Sequence, residues 1–217
     1  KTTLSRKLFQ MLRERPDMLF FMILDPTYET EEVFLDSLVR TFQIPMEKTS
    51  PSLLDMKEAI KKYLFQKGIQ ENKTIILLVD EAQKLNTETL EVLRVLLNYE
   101  TNEFKLLQLV LLAQLELLPK IREMKNLLDR ISMRYIINPL DDAETKEMID
   151  FRIRQAGYAS HMPLFKDEAI VEIYQQTQGY PRRISMLCHN CLKELVMENK
   201  IIVDREVVRK VAAQQAI

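Results

Sequence analysis

Apolar residues along this chain gather into two kinds of segment that alternate. Short, nearly unbroken apolar runs occupy residues 18–24, 74–79, 106–113 and 133–138, and each ends on a polar group or a proline: Asp25-Pro26, Asp80-Glu81, Gln114 and Pro139. A run that is apolar on both faces and bounded by turn signals predicts a buried parallel strand. Between the runs lie amphipathic stretches. Leu4, Leu8, Phe9 and Leu12 share one face of a helix predicted over 1–15, and further helices are expected over 30–42, 52–70, 87–99 and 117–128. After Pro139 the alternation stops. Residues 142–156, 167–178, 181–199 and 204–214 keep helical period with no strand between them. Asp167 with Glu168, and Asp204 with Glu206, put acids at helix starts, where the helix dipole favours them. The expected architecture is a three-layer α/β core with a parallel sheet over 1–140, followed by an all-helical domain over 141–217.

Composition narrows the class. With 47% hydrophobic residues in 217, the chain can bury a full core. Its 31 basic and 32 acidic side chains nearly cancel, so a broad basic footprint for nucleic acid is not expected. The longest mostly apolar stretch, 106–118, is interrupted by Gln108, Gln114 and Glu116, so no membrane segment is expected. Two cysteines and no visible signal peptide point to a reducing compartment, the cytoplasm. Only three glycines occur where average usage gives about 15. The first residue is Lys1, not Met, and the expectation is that the chain begins inside a longer protein.

The strand ending at Asp80-Glu81 has the form that nucleotide hydrolysis needs. Ligands of open α/β sheets bind outside the carboxyl ends of the strands. There one acid can hold hydrated magnesium and the next can polarise an attacking water; the alternative is a strand running into an acidic helix cap. Lys1-Thr2-Thr3 opens a helix. In the phosphate-binding loop G-x-x-x-x-G-K-[ST], the Lys reaches the terminal phosphates and the Ser or Thr hydroxyl binds magnesium. Gln114 at the third strand end can reach a terminal phosphate or the water, or be simply a polar strand end. Arg130, ahead of the fourth run, can serve a neighbouring subunit's nucleotide as an arginine finger or stay solvated beside Asp129. Gly179-Tyr180-Pro181-Arg182 ends one helix and starts another, and leaves Arg182 either aimed at a nucleotide or decorating a corner.

The order of these motifs resembles the AAA+ group of P-loop ATPases. Val79-Asp80-Glu81-Ala82-Gln83-Lys84-Leu85, the stretch Leu107 to Leu117 around Ala113-Gln114, Arg130-Ile131 with Arg134-Tyr135, and Gly179-Tyr180-Pro181-Arg182-Arg183-Ile184 are similar to segments of the ExeA-like, general secretion pathway protein A family. The resemblance covers nearly the whole chain. It implies a P-loop core with a helical lid, and ATP with magnesium as cofactors. Lys1, Thr2 and Thr3 would bind phosphate, Thr2 and Asp80 magnesium. Glu81 would act on water, Gln114 as sensor 1, Arg130 as the finger and Arg182 as sensor 2. It further implies ATP hydrolysis that drives assembly or remodelling in a type II secretion pathway, a homo-oligomer when nucleotide is bound, and a secretion-apparatus protein as partner. The setting would be cytoplasmic, including the cytoplasmic part of a larger inner-membrane protein. Ala113 stands where the family has Gly and Leu115 where it has Pro, and the glycines expected before Lys1 are absent from this sequence. A transposition-accessory or other DNA-associated ATPase and a non-catalytic scaffold are the alternatives; DNA is the less favoured partner. Cys188-His189-Asn190-Cys191 invites a metal reading, but His161 is the only other His and no other Cys exists, so both thiols are expected in a helix core.

Overall fold

The computed structural model describes residues 2–46, 50–101, 105–158, 160 and 162–215, with the side chains of Thr2 and Gln215 outside that set. Two units emerge, 1–134 and 135–217.

The first unit is built on three parallel strands, β1 (Met18–Ile23), β2 (Thr74–Val79) and β3 (Leu107–Leu111), in that spatial order. Met18 is opposite Thr74, and Ile75 opposite Leu107, so all three carboxyl ends lie along one edge of the sheet. Alternate residues explain the layering. Leu19, Phe21 and Ile23, Ile75, Leu77 and Val79, and Leu107, Leu109 and Leu111 share a cluster with buried residues of α2 (Glu31–Thr41), α3 (Leu53–Phe65) and α4 (Thr87–Leu97). On the other face Phe20 meets Phe9 of α1 (Thr2–Leu12), ring centroids 5.6 Å apart. With helices on both faces, Ile75 to Val79 are all buried, which is why β2 reads as an unbroken apolar run.

The helices start where side-chain caps are available. Thr30 caps α2, Ser52 and Asp55 form a capping box on α3, and Asn86 caps α4. A π turn over Gln66–Gln70 closes α3.

Two expectations fail here. The run 133–138 forms no strand: it carries no regular secondary structure, and Met133, Tyr135, Ile136 and Ile137 are exposed. A strand exists only if a neighbour supplies its hydrogen bonds, and among the described residues β3 pairs with β2 alone. Likewise 117–128 is not one helix. Met124 leaves helical geometry at ψ 73° and splits it into α5 (Leu117–Glu123) and α6 (Lys125–Leu128), which bury Ile121 and Leu127.

The second unit packs α7 (Asp142–Gln155), α8 (Asp167–Thr177), α9 (Pro181–Met197) and α10 (Arg205–Gln215) around Ile149, Ile173, Leu187, Cys191 and Val208. Among the described residues of this unit one parallel bridge, Phe165 to Val203, accompanies the helices. Glu172 of α8 is 3% exposed and receives hydrogen bonds from Arg205 and Arg209 of α10. Gln176 also donates to it, and these donors hold the Glu172 carboxyl below its usual range.

Candidate functional site

The site is assembled where the strands end. Asp80 follows β2 and is 3% exposed. Its backbone N–H donates to the Ile23 carbonyl at 2.8 Å, while Leu112 N–H reaches Val79 at 2.9 Å and Ala82 N–H reaches Leu112 at 3.0 Å. The ladder thus continues past the strands and fixes Asp80. A buried carboxylate must be hydrogen-bonded. Asp80 Oδ1 accepts from the Glu81 N–H at 2.9 Å, and Oδ2 from the Ser5 hydroxyl at 3.2 Å. Ser5 is itself fully buried on α1, one turn after Thr2. The α1 helix and the Asp-Glu strand, 75 residues apart in sequence, therefore meet through this bond.

Glu81 takes a left-handed backbone, φ 53° and ψ 34°, and turns the chain into a short 3₁₀ segment, Ala82–Lys84, with Ala82 fully buried. The Glu81 carboxylate accepts from the Gln83 side-chain amide at 2.6 Å. The same amide's oxygen accepts the Gln114 backbone N–H at 3.1 Å. Gln114 is exposed, just beyond β3. Lys120 of α5 donates to the carbonyls of Gln83 and Leu85, at 2.9 and 3.1 Å. Lys84 donates to Asp25 at 3.0 Å, beyond the end of β1. Lys84, with the Thr27 hydroxyl, holds the Asp25 carboxyl below its usual range. Asn86 links to the Tyr28 carbonyl at 3.1 Å.

The sequence-predicted residues fall out as follows. Asp80, Glu81 and Gln114 come together at the carboxyl edge of the sheet. Lys1 and the Thr2 side chain lie outside the described residues, and Thr3 is exposed in the first turn of α1. The Arg130 guanidinium is engaged with Glu100 at 3.1 Å rather than with the acids of the strand end. Arg182 is exposed in the first turn of α9, in the second unit, beside Arg183, whose guanidinium lies 5.1 Å from the Tyr180 ring centre. Ser5, Gln83 and Lys120 were not anticipated. Ser5 had a legible signal, its helical spacing from Thr2; the contacts of Gln83 and Lys120 depend on how strands and helices meet.

Cys188 and Cys191 are free thiols on α9, both pushed up to about 12, chiefly by burial. Such thiols stay protonated and unreactive. His161 lies outside the described residues. Among the described residues no three His, Cys, Asp or Glu side chains gather into a metal-holding group, and no helix is long and apolar enough to cross a membrane.

The profile of a family described as AAA domain matches residues 1–121. General secretion pathway protein A of Aeromonas hydrophila is 35% identical over 194 residues, which is 88% of this chain and 34% of that protein, so the chain spans about a third of that relative. Among solved structures, Cdc6p from Pyrobaculum aerophilum aligns over 99% of this chain and 57% of its own, with TM-score 0.69 and 15% identity. The Aeropyrum pernix ORC2 protein covers 98% and 56% (TM-score 0.64, 15% identity). The Thermotoga maritima RuvB Holliday junction branch migration motor covers 98% and 57% (TM-score 0.61, 15% identity). At such identities these structures establish the fold, an α/β sheet followed by helices.

Proposed function

The chain belongs to the AAA-domain family, and from that premise we propose that it binds and hydrolyses ATP to drive assembly or remodelling in a general secretion pathway. The observation that carries the hydrolytic reading is the Ser5–Asp80 bond at 3.2 Å, which fastens α1 (Thr2–Leu12) to the Asp80-Glu81 strand end. The secretion role rests on the 35% identity to general secretion pathway protein A across 88% of the chain.

In this reading Lys1, Thr2 and Thr3, the residues that lead the sequence into α1, bind the phosphates, because a helix N-terminus favours negative charge. Asp80 supplies a buried, oriented carboxylate. Magnesium keeps several waters and needs only one or two carboxylates beside substrate phosphates, and Thr2 and Asp80 are the residues that would hold it. Bound there, magnesium would neutralise charge on the phosphates. Glu81 orients the attacking water and takes its proton. A carboxylate has about four acceptor positions, so accepting from Gln83 leaves room for water. Gln114 contacts the terminal phosphate. Arg130 exchanges Glu100 for the nucleotide of a neighbouring copy in a homo-oligomer, and Arg182 of α9 acts as the sensor 2 cation. The partner is a protein of the secretion apparatus, and the work is done on the cytoplasmic side.

The role is tested in cells carrying Glu81→Gln in the full-length gene. Exported proteins are expected to accumulate inside. Normal export, together with salt-dependent DNA binding by the purified protein, would contradict the secretion reading and favour a DNA-associated ATPase.

A further inference from the structure

We propose that Gln83 is a positioning residue that couples Gln114 to Glu81, so that placing Gln114 on the nucleotide sets the orientation of the Glu81 carboxylate. The inference rests on the ATPase reading of the site and adds a part to it.

A primary amide has a donor end and an acceptor end, and Gln83 uses both. Its oxygen accepts the Gln114 N–H at 3.1 Å, and its nitrogen donates to Glu81 Oε2 at 2.6 Å. Turning the amide over would oppose donor to donor and oxygen to carboxylate, so the backbone of Gln114 dictates which end faces Glu81. The base of the side chain is fixed as well. Lys120 holds the Gln83 carbonyl at 2.9 Å, and the preceding Ala82 is fully buried. What remains adjustable is the far end of the side chain, which lies between two groups assigned to the reaction.

Holding the sheet together does not explain the bridge. Backbone bonds already join β2 to β3 at this level, Leu112 N–H to Val79 at 2.9 Å and Ala82 N–H to Leu112 at 3.0 Å. The Gln83 side chain adds only the link from Gln114 to the carboxylate. A shift of the Gln114 backbone as its side chain engages a terminal phosphate changes the hydrogen bond that Gln83 offers Glu81. Hydrolysis then responds to whether that phosphate is present.

The experiment compares Gln83→Ala and Gln83→Glu with wild type in the full-length protein, with Glu81→Gln alongside. The Glu variant keeps the shape, loses the donor, and sets a second carboxylate against Glu81. Both Gln83 variants are expected to lower kcat by about 10- to 100-fold, the loss of one hydrogen bond to a charged group, with the KM for ATP within about twofold. Their melting temperatures should stay within about 2 °C of wild type. Wild-type kcat in either variant overturns the coupling, and so does a loss of kcat that comes with a matching loss of stability. If Glu81→Gln loses turnover while the Gln83 variants keep it, only the coupling fails. If the wild-type protein shows no turnover, the underlying reading fails, and the coupling with it.

Discussion

Glu81 holds a left-handed backbone at φ 53°, a conformation that costs a side-chain-bearing residue about 1–2 kcal/mol. The ladder on either side enforces it, because Asp80 and Ala82 are both tied to neighbouring strand ends. The strain thus sits on the residue assigned to activate water, where functional sites commonly keep it. Gly179 meets a similar demand without the cost. Its φ is 72°, and a Cβ there would stand 1.8 Å from the Leu140 carbonyl oxygen. Its own carbonyl accepts the Leu140 N–H at 3.0 Å. Gly179→Ala should therefore destabilise the helical unit by more than about 1 kcal/mol, since positive φ and backbone collision act together. Urea unfolding would check this; an unchanged midpoint would contradict it. At this scale the positions of Asp80, Glu81 and Gln114 beside strand ends were legible, because an apolar run that stops at a polar residue marks the end of a strand. The Gln83 bridge was not legible, because its partner Gln114 lies 31 positions away.

Among the elements, β1, β2 and β3 were legible because helices cover both faces of the sheet and the strands are correspondingly apolar. The run 133–138, with Tyr135, Ile136 and Ile137, also has strand-favouring residues, yet it forms no strand and these three are exposed. Propensity is local, whereas a strand needs a partner, and no local pattern reports one. The break at Met124 was equally invisible, since residues on both sides have good helical period. In the helical unit, charge pairs link consecutive elements. Lys200 and Lys210 hold the Glu198 carboxyl down at about 2, against an ordinary 4.5. Because its pKa is depressed on folding, Glu198 contributes stability that is present above pH 4.5 and is lost as pH falls toward 2. Glu172, also depressed, acts in the same direction. Glu198→Gln should thus show a shallower fall of melting temperature than wild type across that window. Equal slopes would mean that the Lys200 and Lys210 contacts contribute nothing on folding.

For the whole molecule, the question is how one chain's site is completed. Arg130 is paired with Glu100 within its own unit, so a finger role requires a neighbouring copy. Arginine fingers are worth about 10³- to 10⁵-fold in turnover. Turnover per protomer of the full-length protein should therefore rise with protein concentration and stay flat for Arg130→Ala. A wild-type rate independent of concentration would assign the finger elsewhere. The chain matches about a third of the length of general secretion pathway protein A. The most direct test of the central claim is magnesium-dependent ATP turnover by full-length wild type and Glu81→Gln, with ATP affinity measured in parallel. Glu81→Gln should bind ATP as wild type does and hydrolyse it at least about 100-fold more slowly, as loss of a general base requires. A wild-type protein that binds no ATP, or a Glu81→Gln protein that turns over at the wild-type rate, would contradict it.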